Sequence, residues 1–256
     1  MSEPLLTMEA LGKTFPGPKG GRPLQALREV SFTVAAGEYV CLLGRSGCGK
    51  STLLAIVAGL LAPDEGFCRC GGQLITGPDR HRMLMFQESA LFPWLNVLDN
   101  VLFGLSFVEG LEAGEKRRRA EYFLELVGLA DYLNFRIHEL SGGMKQRVAL
   151  ARALAPDPDI LLMDEPFSAL DAMTREQLYE DMQKIWRQTN KTVLMVTHNV
   201  REAVCLGTRV LALERPGRIV ADVAVTLPYP RNMNGVDLAE TAAHISGFLR
   251  SDGGDS

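Results

Sequence analysis

The sequence predicts an α/β fold: a mostly parallel sheet flanked by helices. Three observations carry this. Continuous apolar runs at 39–43, 160–163 and 192–196 have the length of strands buried on both faces. Helical spacing of apolar residues follows the first two runs, over about 52–60 and 175–189. A long stretch between them, about 88–158, reads as helical. The order strand, helix, helical insertion, strand, helix, strand is that of parallel strands joined by crossovers.

The elements can be justified in order. Residues 5–43 read as short strands with turns. Val30, Phe32 and Val34 alternate with Ser31 and Thr33, the period of a half-buried strand. The Gly/Pro cluster at 16–23 predicts a hairpin loop. The apolar run at 39–43 ends at Gly44. In the helix that follows, Leu53, Ile56, Val57 and Leu60 share a face, and Gly59 and Pro63 can end it. Over 115–127, Tyr122, Phe123, Leu126 and Val127 are expected on one face, with Lys116, Arg117, Arg118 and Arg119 mostly opposite. That basic run reads as a solvated helix surface. Residues 210–213 and 219–223 predict a closing hairpin. After Pro230 comes a short amphipathic stretch, and 251–256 are expected to be disordered.

Composition narrows the class. The 256 residues are 46% hydrophobic and 23% charged, ordinary globular values that exclude a disordered or collagen-like chain. The 27 basic and 31 acidic side chains leave a net charge of −4. Sequence-independent nucleic-acid binding rests on phosphate neutralisation, so no nucleic-acid partner is expected. The longest apolar run, 53–62, is about half the ~20 residues that cross a bilayer. Residues 1–10 carry acids and lack the order of a signal peptide, so a cytoplasmic chain is expected. Cys41, Cys48, Cys68, Cys70 and Cys205 have no repeated spacing and read as thiols in a reducing compartment. Cys68 and Cys70 read as same-face positions of a strand, and no zinc site is expected.

Gly44-Arg45-Ser46-Gly47-Cys48-Gly49-Lys50-Ser51 fits G-x-x-x-x-G-K-[ST]. A polyphosphate needs several donors converging at close range. Glycines let the backbone turn its N–H groups inward without Cβ atoms in the way. A helix beginning at about Lys50 turns its positive end to the phosphates. Lys50 supplies a full charge, and Ser51 can give its hydroxyl to Mg²⁺. The match follows a buried-type strand and opens a helix, the context it requires. It predicts a nucleoside triphosphate site. The same N–H groups and Lys50 predict that Cys48 is a reactive thiolate.

Asp164 closes the strand at 160–163, where a carboxylate stands at the sheet edge that binds ligands. There it can hold Mg²⁺ through water. Glu165 points elsewhere and is the candidate to orient or deprotonate an attacking water. Ser141-Gly142-Gly143 precedes a helix-like segment. Ser141 can cap it, and its N–H groups make a second anion site.

Together, the phosphate loop, Leu140-Ser141-Gly142-Gly143-Met144-Lys145-Gln146-Arg147, Met163-Asp164-Glu165-Pro166, Ser168-Ala169-Leu170-Asp171 and His198 resemble the ATP-binding-cassette (ABC) ATPases. The resemblance covers about residues 5–230, with the helical subdomain at about 88–158 and a C-terminal extension at 231–256. It implies a P-loop NTPase core, an N-terminal antiparallel β subdomain and an inserted helical subdomain. It implies ATP and Mg²⁺ as cofactors, with ATP between the phosphate loop of one subunit and the Ser141-Gly142-Gly143 signature of another in a head-to-tail homodimer. Gln87 resembles the glutamine that touches Mg²⁺ and the γ-phosphate, and His198 the switch histidine on that phosphate. Asp171 resembles the aspartate that supports the dimer face. Phe15 matches the aromatic that stacks on adenine. The catalytic set is therefore Glu165, His198, Lys50 and Gln87. The metal set is Ser51, Gln87 and Asp164. The nucleotide set is Phe15, residues 44–51 with Thr52, and Ser141, Gly142 and Gly143. Three departures stand out: Met144 where Gln is usual, Asn199 where Asp is usual, and Phe15 in place of Tyr.

Phe86-Gln87-Glu88, Leu91-Phe92-Pro93-Trp94-Leu95-Asn96-Val97, Asn100-Val101 and Leu227-Pro228-Tyr229-Pro230-Arg231 look like the nitrate/sulfonate/taurine-type importers. Importer ATPases for bicarbonate or thiamine precursors are similar. DNA-acting cassettes need insertions this chain cannot hold. The resemblance implies a peripheral subunit on the cytoplasmic side of the inner membrane. Its partners would be transmembrane permease subunits and, indirectly, a solute-binding protein. Leu91-Phe92-Pro93-Trp94-Leu95 is expected to form a surface that receives the permease.

Overall fold

The structure is a computed structural model describing residues 3–17 and 21–249. The expected disorder at 251–256 and the centre of the Gly/Pro loop lie outside the described residues. The chain forms two compact units: the chain up to Pro78 together with that from Thr192 onward, and Asp79–Lys191.

The first unit opens with β1 (Leu6–Phe15) and β2 (Leu24–Val34), antiparallel partners. They are longer than the short strands expected. Both run on through irregularities, with Ala10 and Glu29 at positive φ of 48° and 50°. Such bulges let a strand bend without ending. Val30, Phe32 and Val34 are buried, as their alternation predicts. β4 (Glu65–Cys70) pairs antiparallel with the other edge of β1, and β5 (Gln73–Leu74) completes a sheet of order β2-β1-β4-β5. Cys68 is buried on β4 and Cys70 partly so; all five cysteines are free thiols.

β3 (Tyr39–Gly44) is flanked by parallel partners, β8 (Thr192–Thr197) and β9 (Arg209–Glu214). Every residue of β3 and β8 is buried, which explains their unbroken apolar composition. Each large side chain so buried contributes roughly 1.5–3 kcal/mol. β10 (Arg218–Ala224) closes the hairpin antiparallel to β9. Behind β3 runs α1 (Lys50–Val57), with Leu53, Ile56 and Val57 buried. Leu60 is not part of that face. The helix stops first, at Gly59 with φ 76°, and Leu60 is 55% exposed. After β8 come α6 (Val200–Leu206) and, past β10, α7 (Val236–Phe248).

The last segment is fixed by one side chain. Arg231 is buried, lies 4.0 Å from the Tyr229 ring and donates to the carbonyls of Val204 (2.6 Å), Gly207 (2.5 Å), Val225 (3.1 Å) and Leu227 (3.0 Å). The Tyr229 hydroxyl donates to Leu206 O at 2.7 Å. Both caps satisfy carbonyls at the end of α6, which no further turn of helix could reach.

The second unit contains a parallel pair, β6 (Arg82–Met85) and β7 (Ile160–Asp164), and the helices α2 (Val97–Leu105), α3 (Ala113–Leu126), α4 (Gly142–Leu154) and α5 (Ala172–Thr189). On α3 the buried residues are Ala120, Phe123 and Leu124, continued by Val127. Tyr122 is 56% exposed, against expectation. At 100° per residue, 120, 123, 124 and 127 form one stripe and position 122 falls outside it. Arg117 pairs with Glu121 at 2.8 Å and Arg119 lies 3.4 Å from Asp157, so the basic run is a solvated, ion-paired surface. Among the described residues no helix is long and apolar enough to cross a membrane.

Candidate functional site: two helix starts and a strand end

In the first unit the phosphate loop runs from the buried end of β3 into α1. The N-cap of α1 is Gly49, at φ 102°. A Cβ there would meet Ala26 O at 2.3 Å, so only glycine fits this turn. No side chain caps the helix, and its first turn holds no acid. Its start is therefore a positive end suited to an anion. Lys50 is buried and donates to Gly44 O at 2.8 Å and Arg45 O at 3.0 Å, so its ammonium lies within the curl of the loop. Ser46, Gly47, Gly49, Lys50, Ser51 and Thr52 line a cleft of about 210 Å³ whose other wall is Phe15, Leu24, Gln25 and Ala26. Phe15, at the end of β1, thus stands beside the loop with part of its ring accessible.

Cys48 differs from expectation. Its side chain is buried, and that burial pushes the thiol above its ordinary range; the Lys50 charge pulls the other way but is the smaller effect. A thiol facing the protein loses more from desolvation of the thiolate than it gains from one nearby cation.

His198 is exposed, between Thr197 at the end of β8 and Asn199. Asn199 caps α6, accepting from Arg201 N (3.0 Å) and Glu202 N (3.3 Å). Asn and Asp are equivalent N-caps, which accounts for the Asn at this position. Thr197 Oγ1 donates to the buried Glu202 carboxylate and accepts from Asn199 N at 3.0 Å. The backbone around His198 is therefore held on both sides.

In the second unit Asp164 and Glu165 sit at the end of β7, both partly exposed. Glu165 has φ 42°, a left-handed backbone. Its carbonyl accepts from Ser168 N (3.2 Å) and Ser168 Oγ (2.9 Å), which offsets the strain of that conformation. Because the chain turns there, consecutive carboxylates need not share a direction.

α4 begins at the signature. Ser141 is its N-cap and accepts from Met144 N at 3.3 Å; Ser141 and Gly142 are exposed and Gly143 is buried. A Cβ on Gly143 would meet Thr174 of α5 at 2.4 Å, so this glycine permits α4 and α5 to approach. Asp171 caps α5, accepting from Thr174 N at 3.0 Å, and that hydrogen bond holds its carboxyl below the usual range. Gln87 lies two residues past β6 with its side chain exposed.

Gln146 received no role from the sequence. It is buried on α4, and its Nε2 donates to Gln87 O (3.3 Å) and to Pro166 O. One amide thus ties Gln87, the signature helix and the segment after Glu165 together. The available signal was a polar residue among the positions that helical spacing buries on α4.

The segment before α2 is built around Asn100, which is fully buried. Its side chain accepts from Phe92 N (2.8 Å) and donates to Phe92 O (3.2 Å) and Asn96 O (2.9 Å). The loop so held presents Trp94, 69% exposed, with Phe92 5.4 Å away between ring centroids. The Phe103 ring lies 4.4 Å from that of Phe92 between centroids, tilted at 59°, and Phe107 follows edge-on at 5.4 Å.

Comparison with known proteins places this arrangement. Residues 27–168 match the family described as ABC transporter. The chain is 46% identical over 240 residues to the taurine import ATP-binding protein TauB of Roseobacter denitrificans, covering 93% of this chain and 88% of that one. It is 43% identical to the bicarbonate transport ATP-binding protein CmpD of Synechocystis, covering 88% and 80%. Among solved structures, the dimeric bacterial ABC transporter cassette MJ0796 superposes with a TM-score of 0.75 at 31% identity, covering 87% of this chain and all of that one. The same cassette in a post-hydrolysis dimer with ADP and Pi gives 0.73 at 31% identity, covering the same shares. With a family match over residues 27–168 and a relative 46% identical across 93% of its length, the chain belongs to the ABC transporter family and is one of its ATPases.

Proposed function

We propose that the chain is the energy-supplying subunit of an importer for a small anionic or zwitterionic solute, with taurine and related sulfonates first. The observation that carries this is the 46% identity to a taurine import ATP-binding protein across 93% of the chain. The similarity to a bicarbonate transport protein keeps a second substrate class in play.

In this reading Lys50 and the backbone N–H groups of 44–52 hold the phosphates of ATP, and Phe15 packs on the adenine. Ser51, Asp164 and Gln87 supply hard oxygen donors, the ligand type Mg²⁺ takes alongside substrate phosphates and water. The bound ion would stabilise charge on the β- and γ-phosphates. Glu165 takes the proton from the attacking water, and His198 and Gln87 report the γ-phosphate to the helices they adjoin.

A second copy of the chain supplies Ser141, Gly142 and Gly143 across a head-to-tail dimer. The cassette proper is residues 5–230. The subunit sits at the cytoplasmic face of the inner membrane, bound to permease subunits that a solute-binding protein feeds. The exposed rings of Trp94, Phe103 and Phe107 form the apolar surface that the permease covers.

The test is uptake by proteoliposomes holding this subunit with its genetically neighbouring permease and binding protein. Labelled taurine should accumulate only with Mg-ATP. Bicarbonate uptake without taurine uptake would select the second class, and ATP hydrolysis with no solute-stimulated component would sink the importer reading.

A further inference from the structure

The loop between β9 and β10 carries an arginine that the phosphate-loop motif does not include. Arg215 Nε donates to Gly47 O at 3.1 Å, and its NH2 group donates to Ser46 O at 2.9 Å. Both acceptors lie within the phosphate loop. The fit is close: a Cβ on Gly47, itself at φ 74°, would meet the guanidinium at 2.4 Å. Gly47 therefore has two reasons to be glycine, its backbone angle and the arginine against it.

The turn that presents Arg215 is itself seated. Gly217 O accepts from Arg28 N at 3.4 Å, and a Cβ on Gly217 would meet Ala26 O at 2.1 Å. Ala26 O is the atom that also limits Gly49. One short stretch of β2 thus supports the phosphate loop on one side and the Arg215 turn on the other.

We propose that Arg215 is a positioning residue of the nucleotide site. It fixes which way the peptides of the phosphate loop face and so raises affinity for nucleotide. In a trans peptide the C=O and the N–H point in opposite directions. Pinning Ser46 O and Gly47 O to the guanidinium therefore turns the N–H groups of Gly47 and Cys48 away from Arg215. Cys48 N points to Arg45 O at 3.3 Å, the same carbonyl that receives the Lys50 ammonium. The N–H groups and Lys50 are thereby gathered on one side. A donor fork on two adjacent carbonyls suits arginine and not lysine, which is a point charge. The loop is exposed at 45–47 and contains three glycines, Gly44, Gly47 and Gly49, so it would otherwise sample many conformations. Ordering it before the ligand arrives lowers the cost of binding.

The inference rests on the phosphate-loop reading, and the experiment separates the two. The measurement is the dissociation constant of Mg-ADP for the isolated subunit by calorimetry. Arg215→Ala should weaken binding about tenfold, ~1.4 kcal/mol. Arg215→Lys should recover part of it, and both should keep the unfolding midpoint without nucleotide within about 2 °C of the parent. Without nucleotide, Cys48 should be alkylated faster by N-ethylmaleimide in Arg215→Ala than in the parent, read by peptide mass. Lys50→Ala is the control. If it abolishes ADP binding while Arg215→Ala binds within about twofold of the parent, Arg215 is a surface tie only. If Arg215→Ala and Arg215→Lys lose affinity and thermal stability together, the role is structural and the proposal fails. If Lys50→Ala binds normally, the phosphate-loop reading itself is wrong.

Discussion

The starts of α1 and α4, both proposed to meet phosphate, are built differently. α1 is entered through a left-handed glycine with no side-chain cap, and a buried lysine follows at once. α4 is entered through an extended serine whose hydroxyl already accepts from Met144 N. The first start offers backbone donors and a fixed charge. The second offers a capped helix end that opens with Gly142, Gly143 and Met144. An uncapped end gains more from an incoming phosphate, because none of its orphan N–H groups is taken by a side-chain cap. The difference suits the division of labour proposed above, in which α1 would hold the nucleotide in one subunit and α4 would add a weaker contact from the second.

Substitutions can break or sharpen that contrast. The largest effect belongs to Glu165→Gln, which serves neither helix start. It should keep ATP binding and lose at least ~100-fold in turnover, with an ATP-bound dimer accumulating on gel filtration. Near-parent steady-state hydrolysis would remove Glu165 from the base role. Lys50→Ala should weaken nucleotide binding by the isolated subunit roughly 10- to 100-fold, the scale of a lost charge-assisted contact. An unchanged dissociation constant would erase the distinction between the two starts. Trp94→Ala alters the exposed loop before α2. It should reduce capture of the permease by about 30-fold, from ~2 kcal/mol, while the subunit alone unfolds at its usual temperature. A lowered unfolding temperature with normal capture would make Trp94 a packing residue.

Ser141→Ala should cost about 1 kcal/mol of helix stability. ATP-driven dimerisation should weaken, and ADP binding to the monomer should be unchanged. Weaker ADP binding to the monomer would contradict the division of labour. The smallest effect is at Cys48. Its thiol is raised by burial, so the native state holds its proton to higher pH than the unfolded chain does. Any stability this contributes is present below the ordinary thiol value and is lost as pH rises through the folded one. Iodoacetamide should therefore label Cys48 more slowly in the native than in the unfolded protein between pH 7 and 9. Faster native labelling would restore the thiolate.

Much of this was legible in the sequence, for stated reasons. β3 and β8 were visible because full burial demands unbroken apolar runs. The phosphate loop was visible because its glycines and lysine admit few replacements. Tyr122 and Leu60 were misplaced because neighbouring apolar residues blur a helical stripe by one position, and because the helix stops at Gly59 before Leu60 can join its face. Cys48 was misread because motif spacing gives the cation but not the desolvation. Gln146 and Asn100 were hidden for another reason. Each acts through backbone carbonyls and amides of distant or neighbouring segments, and sequence displays side chains only. Arg215 is of the same kind, 168 residues from the glycine it touches.

Arg231 bears on how the chain can be cut. Its guanidinium is the shared clasp for four carbonyls, those of Val204, Gly207, Val225 and Leu227. A shortened cassette ending at Val225 would leave the first three without the clasp. Trimming for crystallisation or fusion should begin beyond Arg231, and a protease that nicks 226–230 would loosen α6, the helix that starts two residues after His198.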